Sequence, residues 1–345
     1  MSNNSTPNNH KRNLWLVILL VLILLGAILG LVWVFAKRPL ARPLNIQVAT
    51  NTPAPVIAVT PLPATVISPV PPTATTETTC GTNGSIVILM LARDRENWDP
   101  PHNADFIRYV RVDFSHKRVD VVAIPRDLWV LTPGLKNDGY AAYLIGELYY
   151  YVQQHSTGNQ KDVAVKATTS MAQTLYDNFA VVPNYYITVD GHAIVKMIDT
   201  VGGVDINNPA QFTSGKYLFP AGVIHLNGLQ TEMYMRELSQ YMENANRLER
   251  QEIVIRALWA KIQDPANLIN LPGWINQYMD SFVTDLSPER ISTLICMLDK
   301  VSKENLTFHD ITFETTPDLV SLGPNHTLIP NEPRITEYLR NILFP

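Results

Sequence analysis

The chain has 345 residues, a length that suits one large or two modest domains. Its 27 Lys and Arg against 31 Asp and Glu give a formal net charge of −4, which excludes a general pull toward nucleic acid or anionic lipid. With two cysteines and no Cys/His cluster at zinc spacing, a structural zinc module is excluded as well.

The first element in chain order is Leu14 to Phe35, "LWLVILLVLILLGAILGLVWVF", which is uncharged. At about 1.5 Å rise per residue it is long enough for a bilayer core of roughly 30 Å. Trp15 and Trp33 stand near its ends, where amphipathic rings favour the interface. A secretory signal core is shorter, about 7–15 residues, and no small-x-small cleavage site follows "AKRPLARP", so the expectation is an uncleaved single-pass anchor. Lys11 and Arg12 before the span, against Lys37, Arg38 and Arg42 after it, leave orientation undecided by charge. Residues 36–79 are rich in Pro, Thr, Ala and Val, a composition that favours an extended spacer. This reads as a stalk holding a domain, residues 80–345, on the outer side of a membrane. Cys80 stands where that domain begins and Cys296 lies deep within it. In an oxidising compartment the two could clamp the domain entrance, and the sequence leaves open whether they pair.

From Ser85 strands and helices alternate. "SIVILMLA" (85–92) is continuously apolar, as a strand buried on both faces would be. "FIRYVRVDF" (106–114) and "RVDVVAIP" (118–125) flank a short turn and predict a hairpin. Helices are expected over 140–154 and 163–179, a strand over 184–190, and a helix over 191–201 that stops at Gly202-Gly203 before "VDI" resumes as a strand. Asn227-Gly228 reads as a turn or cap ahead of a helix over 229–238, and a further helix covers 247–262. Two short helices at 266–280 and 287–300, then a strand and a final helix, complete an α/β domain with a mixed central sheet and helices on its faces.

Charged residues gather at the predicted strand ends. Arg93, Asp94 and Arg95 follow the first strand, Asp105 precedes the second, and Arg126-Asp127 end the third through "IPRD". Ligands of open α/β sheets bind at strand ends. Asp94 and Asp105 could hold Mg²⁺, which takes one or two carboxylates plus phosphate oxygens. The arginines suit phosphate through their bidentate forks. Arg236, Arg247 and Arg250 lie on two successive helices, and Gln251 shares a face with Arg247. No GxSxG, Walker A or HExxH pattern is present.

In order, "SIVILMLARDR", "ADFIRYVRVDFSHKRVDVVAIPRDLWV", "NYYITVDGHAIVKMIDTVGGVDI", "FPAGVIHLNGLQTEMYMREL" and "NRLERQEIVIRALWAKI" resemble the LytR-CpsA-Psr family, over about residues 85–262. The resemblance implies helices on both sheet faces enclosing a hydrophobic pocket for a lipid tail. It implies a cell-membrane phosphotransferase of cell-wall biogenesis, its C-terminal domain extracytoplasmic. Such an enzyme moves a glycopolymer from a polyprenyl-pyrophosphate carrier to an acceptor such as peptidoglycan, using Mg²⁺ or Mn²⁺. Carried over residue by residue, Asp94 and Asp105 become metal-associated and catalytic carboxylates. Arg126 becomes a catalytic and phosphate-binding group, with Asp127 orienting its neighbours. Arg236 and Arg247 become further phosphate ligands, with Gln251 as a polar partner beside them.

Three charged positions of the family pattern are neutral here: Asn103 and Leu238 stand where Arg is usual, and Asn244 where Asp is usual. Each missing arginine removes a charge-assisted contact worth about 1.5–3 kcal/mol. The departures motivate an alternative, a degenerate domain that binds polyprenyl phosphate or envelope glycan without turnover. The family's older name also suggests transcriptional attenuation. The negative charge, the absence of a helix-turn-helix pattern and the anchor-plus-stalk start argue against it, and no nucleic-acid partner is expected.

Overall fold

The computed structural model describes residues 34–48, 79–93, 101–237, 243–322 and 327–345. Among these no helix is long and apolar enough to cross a membrane. The anchor expected over 14–35 lies outside them apart from Val34 and Phe35.

A six-stranded mixed sheet forms the centre. Its strands are β1 (Ser85–Arg93), β2 (Ala104–Asp113), β3 (Arg118–Ala123), β6 (Tyr185–Asp190), β11 (Phe282–Thr284) and β12 (Leu306–Asp310). The order is β11-β6-β1-β2-β3-β12. The β2–β3 hairpin is antiparallel as expected, while β1 runs parallel to β6 and β3 parallel to β12. β1 is therefore an interior strand covered on both faces, which is what its unbroken apolar run requires.

Helices α1 (Ile145–Gln154), α2 (Gln160–Phe179) and α9 (Glu332–Leu343) cover one face, burying Leu89, Ile107, Tyr109, Val122, Leu148 and Leu175 in one core. The other face meets α5 (Glu243–Ile262) and α8 (Pro288–Lys300) through Val112, Phe114, Val121, Trp259 and Met297. Each fully buried side chain of this size contributes about 1.5–3 kcal/mol. A third core, around Ile198, Val204, Phe219 and Tyr234, seats α3 (Gly191–Thr200) and α4 (Gly228–Arg236) against the ribbon β7 (Val204–Asn208)–β10 (Gly222–Leu226). Asn227 is the α4 cap and closes a capping box with Gln230.

Some elements differ from expectation. The helix expected over 140–154 begins only at Ile145, because Ala142–Leu144 (β5) pairs with Trp129–Leu131 (β4). Phe212–Ser214 (β8) pairs with Tyr217–Phe219 (β9), and Val320–Leu322 (β13) with Thr327–Ile329 (β14). The short helices Pro265–Leu268 (α6) and Leu271–Gln277 (α7) replace the longer one expected over 266–280. Cys80 and Cys296 form a disulfide, with Cα atoms 5.8 Å apart, that ties the segment ahead of β1 to α8.

The first part of the expected stalk is not held off the domain. Residues 40–48 lie along it: Leu40 N donates to Leu286 O, the Tyr186 hydroxyl donates to Arg42 O, and Gln47 N donates to Gln173 Oε1. Ala41, Leu44 and Ile46 supply apolar contacts that the Pro/Thr-rich composition had concealed. Residues 49–78 lie outside the described residues. Asp285 clasps this strap, accepting from Tyr186 N at 2.8 Å and hydrogen-bonding the Leu44 backbone. Burial nevertheless pushes its carboxyl up to about 6. A carboxyl raised on folding binds more protons in the folded than in the unfolded chain between about pH 4 and 6, so its stabilisation is present in acid and lost as pH rises through 6. Asp285→Asn should therefore flatten this part of the stability–pH profile and raise the melting temperature at pH 7 relative to wild type. Parallel thermal melts from pH 4 to 8 check it.

Candidate functional site

The opening of the site is a defect in the sheet. Ala92 pairs with Phe106 but Arg93 pairs with Ala104, so Asp105 is an extra, bulged residue on β2. Bulges re-aim side chains. Ala104 and Ile107 remain in the core beneath α1 and α2, and Phe106 packs toward α3, while Asp105 turns out at the sheet end.

Arg126 is brought there by the end of β3. Ile124 N still bonds Ile107 O, and after Pro125 the chain turns, closed by Leu128 N to Pro125 O at 3.2 Å. The turn is bolted to the start of α1: Gly146 N donates to Arg126 O at 2.8 Å and Ile145 N to Leu128 O at 2.9 Å. A Cβ on Gly146 would stand 2.7 Å from Arg126 Cβ, so only glycine permits this approach. Gly146→Ala should shift Arg126, lower the melting temperature by several degrees through overpacking, and lower activity measured well below the melt by about 10- to 100-fold, as misplacement of about 1 Å does elsewhere. Steady-state kinetics beside a thermal melt test this.

Asp105 is the hub. Its Oδ1 accepts from Arg126 Nη1 in a close charge-assisted contact, and its Oδ2 lies 3.2 Å from Arg247 Nη2. Arg126 Nε reaches Asp127 Oδ1 at 3.2 Å. Burial works against the charged form of Asp105, but the Arg247 and Arg126 guanidiniums outweigh it and hold the carboxyl below the usual range. Burial also opposes charge on Arg126, yet Asp105 and Asp127 keep its pKa above the ordinary value. For Arg247, whose side chain is only 5% exposed, burial prevails and the pKa falls. Among the described residues nothing accepts from the buried Arg247 Nε. A buried donor of this kind is costly without a partner, which fits an anion at this point.

Arg236, at the last turn of α4, reaches Glu232 at 3.1 Å and stays partly exposed. Arg250, one turn along from Arg247, does not line the cleft. It is buried, donating to Tyr234 O at 2.9 Å and to Glu237 O, and so secures the end of the helix that carries Arg236.

Asp105, Arg126, Arg236 and Arg247 thus share one cleft of about 470 Å³, with Asn103 in its wall and Asp127 behind Arg126. Gln251 lies deeper and accepts from Arg108 Nη2 at 2.5 Å. It lines a small apolar pocket of about 70 Å³, together with Arg93, Phe106 and Ile194, that also touches Asp105, Arg236 and Arg247. Asp94 and Leu238 lie outside the described residues, as does the side chain of Asn244. Sequence reasoning missed three features: the Tyr143–Glu147–Tyr150 wall, Gly146, and His102 in the lining of the cleft. The Gly between Ile145 and Glu147, at an otherwise apolar helix start, was the one available signal.

Farther along the same sheet face, between the sheet and α5, α7 and α8, an apolar cavity of about 320 Å³ is lined by residues such as Met90, Val110, Trp259, Ile275 and Leu294. Among the described residues no group of three or more His, Cys, Asp or Glu is gathered to hold a metal ion. A site with one carboxylate remains open to Mg²⁺, since each Asp105 oxygen keeps a second lone pair and Mg²⁺ takes its other ligands from phosphate and water.

Comparison with known proteins gives one consistent result. The LytR_cpsA_psr family profile matches residues 67–339. A polyisoprenyl-teichoic acid–peptidoglycan teichoic acid transferase TagU from Oceanobacillus iheyensis is 26% identical over 212 residues, covering 61% of this chain and 62% of that protein. TagU from Enterococcus faecalis is 29% identical over 123 residues, 34% of this chain and 40% of that protein. The chain therefore matches less than two thirds of these curated relatives' length. Among solved structures, Bacillus subtilis TagV superposes with a TM-score of 0.59 at 20% identity, over 76% of this chain and 98% of that one, a likeness of fold. With the family profile spanning the domain, and the mixed sheet and its flanking helices matching a solved member, the chain belongs to the LytR-CpsA-Psr family.

Proposed function

We propose that this protein is a membrane-anchored phosphotransferase that moves a glycopolymer from a polyprenyl-pyrophosphate carrier to a cell-envelope acceptor such as peptidoglycan. One observation carries the reading: Arg126, Arg236 and Arg247 converge with Asp105 in a cleft that adjoins a small apolar pocket, and a larger apolar cavity lies farther along the same face of the sheet. A cationic cleft with apolar space on the same face of the sheet suits a ligand with a pyrophosphate head and a prenyl tail. The names of the curated relatives support the same chemistry.

In this reading Arg126 and Arg247 hold the pyrophosphate and offset the charge that builds on its oxygens, and Asp105 fixes both guanidiniums in place. The acceptor hydroxyl oxygen forms a bond to the phosphorus that carries the glycan. The bond from that phosphorus to the bridging oxygen breaks, and polyprenyl monophosphate leaves with the electron pair. Asp105, with its carboxyl held low, is a weak base for the hydroxyl proton, whereas Glu147 lines the same cleft. Asp105, with Asp94 as the expected second carboxylate, would hold Mg²⁺ or Mn²⁺, which supplies Lewis-acid stabilisation of phosphate charge.

The binding-only alternative draws on Asn103, a neutral residue in the cleft wall. Incubating the full-length protein with a polyprenyl-pyrophosphate disaccharide and a soluble peptidoglycan fragment as acceptor separates the two. Turnover to polyprenyl monophosphate that stops on adding EDTA and returns with Mg²⁺ supports transfer. Retained but intact lipid supports the alternative, and no retained lipid contradicts both.

A further inference from the structure

The wall of the cleft that faces away from the apolar pockets is aromatic. Tyr143 and Tyr150 line it with Glu147 between them, and Tyr150 is 37% exposed. Glu147 and Tyr150 are three apart on α1 and so share one face. The wall is stiff. Tyr143 packs on Tyr140 at 5.3 Å and on Tyr151 at 5.9 Å, Tyr151 stacks on His155 at 4.1 Å, and the Tyr150 hydroxyl accepts from Gln154. None of these residues is needed to hold a pyrophosphate. Partly exposed, preorganised rings beside a carboxylate are the surface on which a pyranose sets its C–H face, with hydroxyls donating to the acid.

The placement distinguishes donor from acceptor. α1 covers the face of the sheet opposite α5, so the aromatic wall and the apolar pockets stand on two sides of Asp105. Phosphoryl transfer needs the attacking and leaving oxygens roughly in line. If the prenyl monophosphate leaves toward the apolar side, the attacking hydroxyl comes from the tyrosine side. We infer that Tyr143, Glu147 and Tyr150 form a saccharide subsite for the acceptor, and that Glu147 takes the hydrogen bond, and then the proton, of the attacking hydroxyl. This rests on the transferase reading above. As the hydroxyl oxygen bonds to phosphorus its proton passes to the Glu147 carboxylate, and the electron pair of the breaking bond leaves on polyprenyl monophosphate.

The test uses the full-length protein in detergent and two probes. One is a lipid-free tetrasaccharide of alternating N-acetylglucosamine and N-acetylmuramic acid; the other is farnesyl pyrophosphate, which carries no sugar. Titration calorimetry should show saturable binding of the tetrasaccharide, weakened about tenfold or more by Tyr150→Ala and kept by Tyr150→Phe. Farnesyl pyrophosphate should bind both variants as it binds wild type and should be weakened by Arg126→Ala. Glu147→Gln should retain tetrasaccharide binding within a few-fold and lose most turnover. Equal tetrasaccharide affinity in wild type and Tyr150→Ala, or no binding while farnesyl pyrophosphate binds, overturns the subsite and leaves the transferase reading standing. Saccharide binding that follows Tyr150 with no farnesyl pyrophosphate binding at all overturns the transferase reading and with it the acceptor assignment.

Discussion

Arg126→Ala is expected to lower lipid-pyrophosphate turnover by at least about 10²–10³-fold, the loss seen when a single preorganised donor to developing oxyanion charge is removed. The guanidinium is aimed by three independent constraints: the Pro125 turn, the Gly146 contact with its backbone, and the contacts to Asp105 and Asp127. Alanine leaves Asp105 paired with Arg247, so the fold should survive and the melting temperature fall by only a few degrees. Arg126→Lys restores the charge but not the planar fork, and should recover a minor part of the rate. Parallel turnover and melting measurements distinguish a chemical loss from an unfolded chain. Wild-type turnover in Arg126→Ala contradicts the assignment.

The second large effect is on stability. The Cys80–Cys296 bond closes a loop of 216 residues, which in the chain-entropy account corresponds to about 5 kcal/mol of denatured-state constraint. Replacing both cysteines by serine should lower the melting temperature by about 10–20 °C for a domain of this size. Adding a thiol reductant to wild type should do the same. Activity well below the melt should persist, because Cys80 lies ahead of the start of β1 and the cleft lies beyond its other end. A reductant-insensitive melt contradicts this.

What was legible in the sequence was what local periodicity controls. The apolar run of β1, the β2–β3 hairpin, the Asn227 cap and the "IPRD" step follow from residue types at fixed spacing. What was not legible needed the tertiary fold. Alternation along β2 does not announce the bulge, so Asp105 could be named but not aimed. Tyr140 to Gln154 reads as one apolar helix, and only pairing with Trp129–Leu131 turns its start into a strand that carries Tyr143 to the cleft. Arg108 reaches Gln251 across 143 positions, a contact no spacing rule suggests. The proline-rich composition of residues 36–79 masked the docking of residues 40–48, whose hydrogen bonds go to distant partners.

The most direct measurement of the central claim is transfer itself. Full-length protein in liposomes, supplied with a polyprenyl-pyrophosphate disaccharide, Mg²⁺ and a soluble peptidoglycan fragment, would be followed by mass spectrometry. The expected result is a fragment bearing the disaccharide through a phosphodiester, with one polyprenyl monophosphate released per product and neither formed by Arg126→Ala. Lipid that stays intact under these conditions, or a product formed equally by Arg126→Ala, would contradict it.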